Sequence, residues 1–148
     1  MSQNISPLKI AIAGLGVVGG EVARQLMHRQ QQLALASGRA LQLVAVSARS
    51  ATADRGFSMD QIDWHDNAIE LAGRDDVDVI IEMIGGSEGV ALDLTRAALK
   101  NGKHVITANK AMIAHHGAEL ASLAEDHNCY LLFESAVAGG IPAVKTLR

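Results

Sequence analysis

Apolar runs alternate with helically spaced apolar positions along most of this 148-residue chain. The continuous apolar and β-branched runs predict five strands, at Leu8–Ala13, Leu41–Val46, Val77–Ile84, His104–Thr107 and Cys129–Phe133. Near-continuous apolar strands are typical of a sheet that is covered on both faces. Strands that alternate with helices, with no hairpin signal between them, predict a doubly wound parallel α/β sheet of the Rossmann type, with helices on both faces.

The helical patterns lie between these strands. A first helix begins near Val18 and is expected to end before Ser37. Asn67, with Glu70 three residues later, predicts the N-cap of a short helix that runs to Ala72. Two further helices are indicated by apolar spacing around Leu92–Leu99 and Leu120–His127, and the section from 47 to 66 is polar and irregular.

The first strand runs directly into a glycine-rich turn, Gly14-Leu15-Gly16-Val17-Val18-Gly19, which opens the first helix. In a dinucleotide-binding turn the first glycine permits the tight bend, the second lets a pyrophosphate approach the backbone, and the third lets helix and strand pack closely. The free N–H groups and the positive dipole end of the helix then face the diphosphate. The strand before and the helix after favour dinucleotide binding over a purely structural βα turn.

Composition narrows the class of protein. Hydrophobic residues make up 49% of the chain, aromatic residues only 3%, and the net charge is −3. These values fit a single domain in which helices pack on a parallel sheet through small residues, and they argue against a nucleic-acid partner. The single cysteine, Cys129, lies in an apolar strand and is expected to be a buried, inert thiol. With no signal peptide and no run long enough to cross a bilayer, we expect a cytoplasmic, soluble protein without a membrane partner.

Four motifs occur in one order along the chain, and together they resemble the amino-terminal cofactor domain of homoserine dehydrogenase. They are Gly14–Gly19, Glu82-Met83-Ile84-Gly85-Gly86, Thr107-Ala108-Asn109-Lys110-Ala111 and Glu134-Ser135-Ala136-Val137-Ala138-Gly139-Gly140-Ile141-Pro142. The resemblance implies NAD(P)-dependent interconversion of aspartate 4-semialdehyde and homoserine, on the route to threonine and methionine. Aspartate semialdehyde and homoserine are then the expected small-molecule substrates.

The resemblance also bears on domain organisation. It implies that residues 1–148 form the dinucleotide-binding domain and that a substrate and dimerisation domain follows, so that the full-length protein forms a homo-oligomer. Further catalytic residues are then expected beyond Arg148, in that second domain. The sequence after Pro142 predicts a helix that is cut after one turn, which suggests a fragment. We therefore expect the isolated chain to bind cofactor with negligible turnover.

The choice between NADP and NAD depends on the end of the second strand. An NAD-selective site places Asp or Glu there to bind the ribose 2′-hydroxyl, whereas this chain has Ser47-Ala48-Arg49-Ser50. The guanidinium of Arg49 can bind a 2′-phosphate, so NADP is favoured over NAD as the cofactor. The alternative is that Arg49 is a solvated loop charge.

Lys110 is the candidate catalytic residue. It follows the fourth strand, and ligands of open α/β sheets bind outside the carboxyl ends of the strands. An ammonium group there can donate to a carbonyl oxygen that gains negative charge during hydride addition. The resemblance implies that this lysine lies next to cofactor and substrate; the alternative is a surface lysine. Thr107 and Asn109 could bind the nicotinamide or its ribose, or could satisfy backbone groups of the turn.

The third strand is followed by Gly85 and Gly86, which leave room for a cofactor beside the loop. Glu82, at the end of that strand, fits a structural hydrogen-bonding role at least as well as a catalytic one.

The last motif has a different implied chemistry. By resemblance, a monovalent cation, typically sodium, binds to main-chain oxygens at four positions: Glu134, Val137, Gly139 and Ile141. Glycine-rich loops can turn carbonyl oxygens towards a hard cation. The alternative is a hinge between two domains.

Two other functions remain open from the sequence. One is the cofactor domain of another amino-acid-pathway oxidoreductase, such as aspartate dehydrogenase or dihydrodipicolinate reductase. The other is a nucleotide-sensing module without chemistry. The later motifs fit the first alternative less well than they fit homoserine dehydrogenase.

Overall fold

A computed structural model describes residues 5–133, which form one parallel sheet of six strands. In chain order the strands are β1 (Leu8–Ala13), β2 (Leu41–Ser47), β3 (Asp63–His65), β4 (Val79–Glu82), β5 (His104–Thr107) and β6 (Leu131–Leu132). They lie in the order β3-β2-β1-β4-β5-β6, and each neighbouring pair is parallel. The chain builds outward from β1 to β3 and then crosses to β4. The strand order therefore reverses between β1 and β4, as it does in doubly wound dinucleotide-binding sheets.

Helices cover both faces of the sheet, which confirms the predicted fold class. The described residues form α1 (Val17–His28), α2 (Gln30–Ser37), α3 (Val90–Lys100), α4 (Lys110–Asp126) and a short 3-10 helix (Ala68–Gly73). Side chains alternate along β1: Ile10 and Ile12 belong to the core that includes Leu26 of α1, whereas Ala11 and Ala13 belong to the core under α3 and α4. This period of two is what places one core on each side of the sheet.

The sequence predicts five of the six strands and does not predict β3. β3 is three residues long and lies at the edge of the sheet, where Trp64 pairs with Val46 of β2. Its sequence, Asp-Trp-His, carries neither an apolar run nor a clear alternation. An edge strand is covered less than a central one, so its polar composition gave no strand signal.

Three element bounds also differ from the prediction. β4 begins at Val79 rather than Val77, and it ends at Glu82 rather than Ile84, whose N–H donates to the Glu82 carboxylate. β6 comprises two residues rather than five. The first predicted helix is two helices that meet at Arg29, whose φ of −114° and ψ of 27° interrupt the helical backbone. The second of them, α2, has no fully buried residue, and its Leu33 is partly buried against the core that α1 also covers.

Two local expectations are confirmed, the cap at Asn67 and the burial of Cys129. The Asn67 side chain accepts a hydrogen bond from the N–H of Ile69 at 3.1 Å and so begins the 3-10 helix. Cys129 is buried, and burial raises the pKa of its thiol. Within residues 5–133 no helix combines the length and the apolar character that a membrane span requires.

Candidate functional site

The glycine-rich turn after β1 gives each of its three glycines a different role. Gly14 has a φ of +94°, and a Cβ there would lie 2.6 Å from the carbonyl oxygen of Met83. A Cβ at Gly19 would overlap the carbonyl oxygen of Gly14, so this glycine lets α1 pack against the turn. At Gly16 a Cβ would meet no atom within 4 Å. The first and third glycines are thus required by the protein itself, whereas the second borders open space.

The N-terminus of α1 is left open by its own sequence. Its N-cap, Gly16, makes no side-chain cap, and no acidic residue lies in the first turn. The next two side chains point away from the protein: Val17 is 94% exposed and Val18 is 59% exposed. Leu15 is partly buried and packs against the core beneath α1. The first N–H groups of α1 therefore combine a positive dipole end with free access from solvent.

The end of β2 lies beside this turn. The N–H of Gly14 donates to the carbonyl oxygen of Ser47 at 2.8 Å, which ties the turn to β2. Arg49, two residues further along, is exposed, and within residues 5–133 its guanidinium has no carboxylate within 4 Å. The fold thus brings Arg49 and the glycine turn to the same edge of the sheet, as their positions after β2 and β1 predicted.

On the other side of β1, β4 ends in a buried carboxylate. Glu82 has no solvent-exposed surface. Its Oε1 accepts hydrogen bonds from the N–H groups of Ile84 at 2.7 Å and Gly85 at 3.2 Å. Its Oε2 accepts from the hydroxyl of Thr107, at the end of β5, at 2.5 Å. All three groups that reach Glu82 are donors, so both oxygens of its carboxyl group act as acceptors.

The network continues from Thr107 into the start of α4. The Thr107 hydroxyl accepts from the N–H of Asn109 at 3.0 Å, and the Asn109 side-chain oxygen caps α4 by accepting from the N–H of Met112 at 3.1 Å. The Asn109 amide nitrogen donates to the carbonyl oxygen of Gly86 at 2.7 Å. Lys110 follows as the first residue of α4, with an exposed side chain. The side chains of Thr107 and Asn109 thus satisfy groups of the turn and the helix, and their contact with a cofactor stays a prediction.

The turn after β4 is held from α4 as well. Gly85 and Gly86 have φ angles of +86° and +88°, which only glycine adopts without strain. Beyond them, the His116 ring of α4 lies 2.7 Å from the Glu88 carboxylate, and Glu119 is within 3.6 Å of the same ring. Arg96 of α3 pairs with Glu119 at 2.7 Å, and this hydrogen bond lowers the pKa of the Glu119 carboxyl. Sequence reasoning did not identify this chain of charged groups, because its members come from separate elements that are distant along the sequence.

The carboxyl edge of the sheet therefore gathers most of the candidate residues. The turn at 14–19, Gly85, Gly86, Thr107, Asn109 and Lys110 follow the ends of β1, β4 and β5, and Arg49 follows β2. From the sequence, the role of Glu82 was ambiguous; its one signal was an acid at the end of an otherwise apolar strand.

Besides the helix predicted after Pro142, two expectations fall on the end of the chain, which lies outside the described residues. The first is the set of four proposed cation ligands, Glu134, Val137, Gly139 and Ile141. The second concerns Arg148, the last residue, beyond which the resemblance implies further catalytic residues. Of the predicted catalytic groups, the described residues therefore contain Lys110 alone.

Comparison with known proteins agrees with this geometry. Residues 14–134 match the family model described as "Homoserine dehydrogenase, NAD binding domain". The chain is 38% identical to the homoserine dehydrogenase of Neisseria gonorrhoeae over 97% of its length, and 42% identical to that of Corynebacterium glutamicum over 97%. The crystal structure of a homoserine dehydrogenase from Thiobacillus denitrificans superimposes with a TM-score of 0.87 at 32% identity, over 98% of this chain and 33% of that one. The chain spans about a third of the length of the curated relatives it matches, 33% and 32% of the two named here.

Proposed function

The chain belongs to the homoserine dehydrogenase family, in the part that forms the NAD-binding domain, and we propose that it binds NADP across the carboxyl ends of β1, β2, β4 and β5. The observation that carries this proposal is the free backbone at Gly16. The one glycine of the turn that the protein does not need for its own packing borders open space at an uncapped helix N-terminus. That combination suits a pyrophosphate, which needs close approach to backbone N–H groups.

The two ends of the dinucleotide are assigned by strand order. The chain's reversal between β1 and β4 opens a crevice, and the adenosine half of the ligand extends towards β2. There Arg49 is exposed and without a carboxylate partner among residues 5–133, and no acidic side chain stands at positions 47–50. A guanidinium can bind a 2′-phosphate through two parallel hydrogen bonds, so the site prefers NADP to NAD.

The nicotinamide half then lies towards β4 and β5. Gly85 and Gly86 bring no side chain to this wall, and Thr107 and Asn109 fix its backbone. Lys110 projects from the first turn of α4 at the same edge. We assign to Lys110 the donation of a hydrogen bond to the substrate carbonyl oxygen, where negative charge develops during hydride addition. The reduced cofactor, NADPH, supplies the hydride when it is bound.

In the whole protein we propose the family reaction, the interconversion of aspartate 4-semialdehyde and homoserine. A further domain, following Arg148 and carrying the remaining catalytic residues, would close the crevice over the substrate and join subunits into a homo-oligomer. The segment from Glu134 to Ile141 would bind sodium through main-chain oxygens. These proposals rest on family membership, since the chain spans a third of its relatives.

Calorimetric titration of the chain with NADPH and NADH tests cofactor binding. We expect both to bind and NADPH to bind about ten to a hundred times more tightly, because a hydrogen bond to a charged group contributes roughly 1.5 to 3 kcal/mol. Arg49→Ala should weaken NADPH binding by that factor and leave NADH binding nearly unchanged.

Arg39→Ala is the matched control, because Arg39 lies at the opposite edge, where its guanidinium donates to the carbonyl oxygen of Ser6 ahead of β1. Equal losses of NADPH and NADH affinity in Arg49→Ala would contradict the NADP assignment. No binding of either coenzyme would overturn the cofactor site as a whole. In the whole protein, NADPH should be oxidised only when aspartate 4-semialdehyde is added. If the semialdehyde causes no NADPH oxidation, the proposed reaction is refuted.

A further inference from the structure

We propose that Glu82 is a positioning residue for the nicotinamide half of the cofactor: its buried carboxylate holds the turn of Ile84–Gly86 and, through Thr107 and Asn109, locks that turn to the first turn of α4. The inference rests on the proposed function and deepens it. No contact between Glu82 and a ligand is required, because the residue acts through the backbone that forms the wall of the crevice.

The burial of Glu82 requires an explanation that the fold alone does not give. A carboxylate without exposed surface is costly unless its oxygens are satisfied. Within residues 5–133 no Lys or Arg side chain lies within 4 Å of it, so hydrogen-bond donors compensate the charge in place of a cation. Two of these donors are backbone N–H groups of the same short turn, and the third comes from β5. The carboxylate is thus arranged to fix the turn against a neighbouring strand.

The turn has little conformational preference of its own. Two of its residues are glycines, and both have positive φ angles. Glycine can adopt many other backbone conformations as readily, so the sequence alone does not fix the turn. The structure fixes this segment from two directions: Glu82 holds the N–H groups of Ile84 and Gly85, and Asn109 holds the carbonyl oxygen of Gly86. Asn109 also caps α4, so the turn and the residue before Lys110 form one hydrogen-bonded unit.

A fixed wall lowers the free-energy cost of binding. Groups that are already ordered do not lose conformational entropy when the ligand arrives, so the affinity gained by each contact is retained. The effect is expected only for the part of the ligand that lies against the turn. The nicotinamide end should therefore depend on this network, and the adenosine and pyrophosphate parts should not.

The experiment compares two ligands on the same chain. NADPH carries the nicotinamide, and 2′-phospho-ADP-ribose is the same dinucleotide without that ring. Thr107→Val removes the hydroxyl that holds Oε2 of Glu82 while keeping the volume of the side chain. We expect about a tenfold loss of NADPH affinity and less than a twofold change for 2′-phospho-ADP-ribose, both measured by calorimetry.

Two further variants test whether the loss is positional. Thr107→Ser retains the hydroxyl and should restore NADPH affinity to within about twofold of the original chain. Thr95→Val is the matched control: Thr95 is equally buried, and its hydroxyl donates to Ala91 of its own helix, away from the edge. It should change neither affinity.

If Thr107→Val does not fold, Glu82→Gln gives the same test with a smaller perturbation. Its amide oxygen can still accept from the turn, while its amide nitrogen faces the Thr107 hydroxyl, and a selective loss of about threefold for NADPH is expected. Equal losses for both ligands, or an unchanged NADPH affinity, would overturn the inference and leave the cofactor site intact. Failure of the unmodified chain to bind either ligand would instead overturn the proposed function.

Discussion

Two helices, α1 and α4, begin at the same edge of the sheet, but a side chain caps only the N-terminus of α4. α1 begins at Gly16 with no side-chain cap and open space beside it, whereas α4 begins at Asn109, whose side chain caps Met112 and binds Gly86. Backbone N–H groups that have no partner at a helix start are available to a ligand. Those that a side chain caps stabilise the fold instead. Under the proposed function, the comparison separates the residues expected to bind the cofactor from those that hold the binding surface in place.

The largest effect is expected from Gly19→Ala. The new Cβ would overlap the carbonyl oxygen of Gly14 and lie 3.2 Å from Cβ of Met83, so α1 must move away from the turn. We expect a loss of about 3 kcal/mol in the free energy of unfolding, measured by urea denaturation. Gly20→Ala is the control, because its Cβ would lie at an ordinary 3.6 Å from Leu15 and should stabilise the helix by about 0.5 to 1 kcal/mol. Similar stabilities for the two variants would contradict this account of the turn.

Gly16→Ala should separate binding from folding. The methyl group meets no protein atom within 4 Å, so the free energy of unfolding should change by less than about 0.5 kcal/mol. The same methyl group occupies the approach of the pyrophosphate, and NADPH affinity should fall about thirtyfold. Gly73→Ala introduces a methyl group into equally open space elsewhere and should leave binding unchanged. Undiminished NADPH affinity in Gly16→Ala would show that the open N-terminus is not the phosphate site.

Asn109→Ala should lower the stability of the fold at the start of α4. It removes the cap of α4 and leaves the carbonyl oxygen of Gly86 without its partner, which should cost about 1.5 kcal/mol of stability in urea denaturation. Asn67→Ala removes a cap that makes only one hydrogen bond, to Ile69, and should cost about half as much. A larger loss for Asn67 than for Asn109 would show that the start of α4 is not the more firmly held of the two.

The smallest expected effect is the stabilisation of the chain by inorganic pyrophosphate. Inorganic pyrophosphate should bind at the open start of α1 and raise the free energy of unfolding by about 0.4 kcal/mol when its concentration equals its Kd. Thermal unfolding with and without pyrophosphate measures this shift. Gly16→Ala should abolish the stabilisation and Asn109→Ala should retain it; stabilisation that persists in Gly16→Ala would place the anion elsewhere.

The sequence predicted those features whose causes are local. β1, the glycine turn and the Asn67 cap each depend on residues within a few positions: β1 has the expected bounds, the turn joins β1 to α1 as expected, and Asn67 caps the 3-10 helix. The strand β3 depends on pairing with β2, which lies some twenty residues earlier in the chain, so no local pattern predicted it. The break at Arg29 was not predicted either.

The same division holds at the site. The turn at 14–19 was recognisable from glycine spacing, and the fold accounts for the spacing of two of its glycines through contacts with Met83 and Gly14. The network of Glu82, Thr107 and Asn109 joins residues from two strands and a helix start, and it becomes visible only when β4 and β5 are paired. From the sequence, Thr107 and Asn109 were candidates to bind the nicotinamide or to satisfy the turn, and the structure shows which groups of the turn they hold.

The exposed valines at the start of α1 have a thermodynamic consequence. Val17 and Val18 are exposed to water beside the glycine turn, and Ile84 and Val90, 41% and 48% exposed, follow the end of β4. A dinucleotide seated in the crevice would remove part of this hydrocarbon surface from water, which lowers the heat capacity of the complex relative to its free components. The enthalpy of coenzyme binding should therefore grow more negative on warming, even though polar contacts at the phosphates set the position of the ligand.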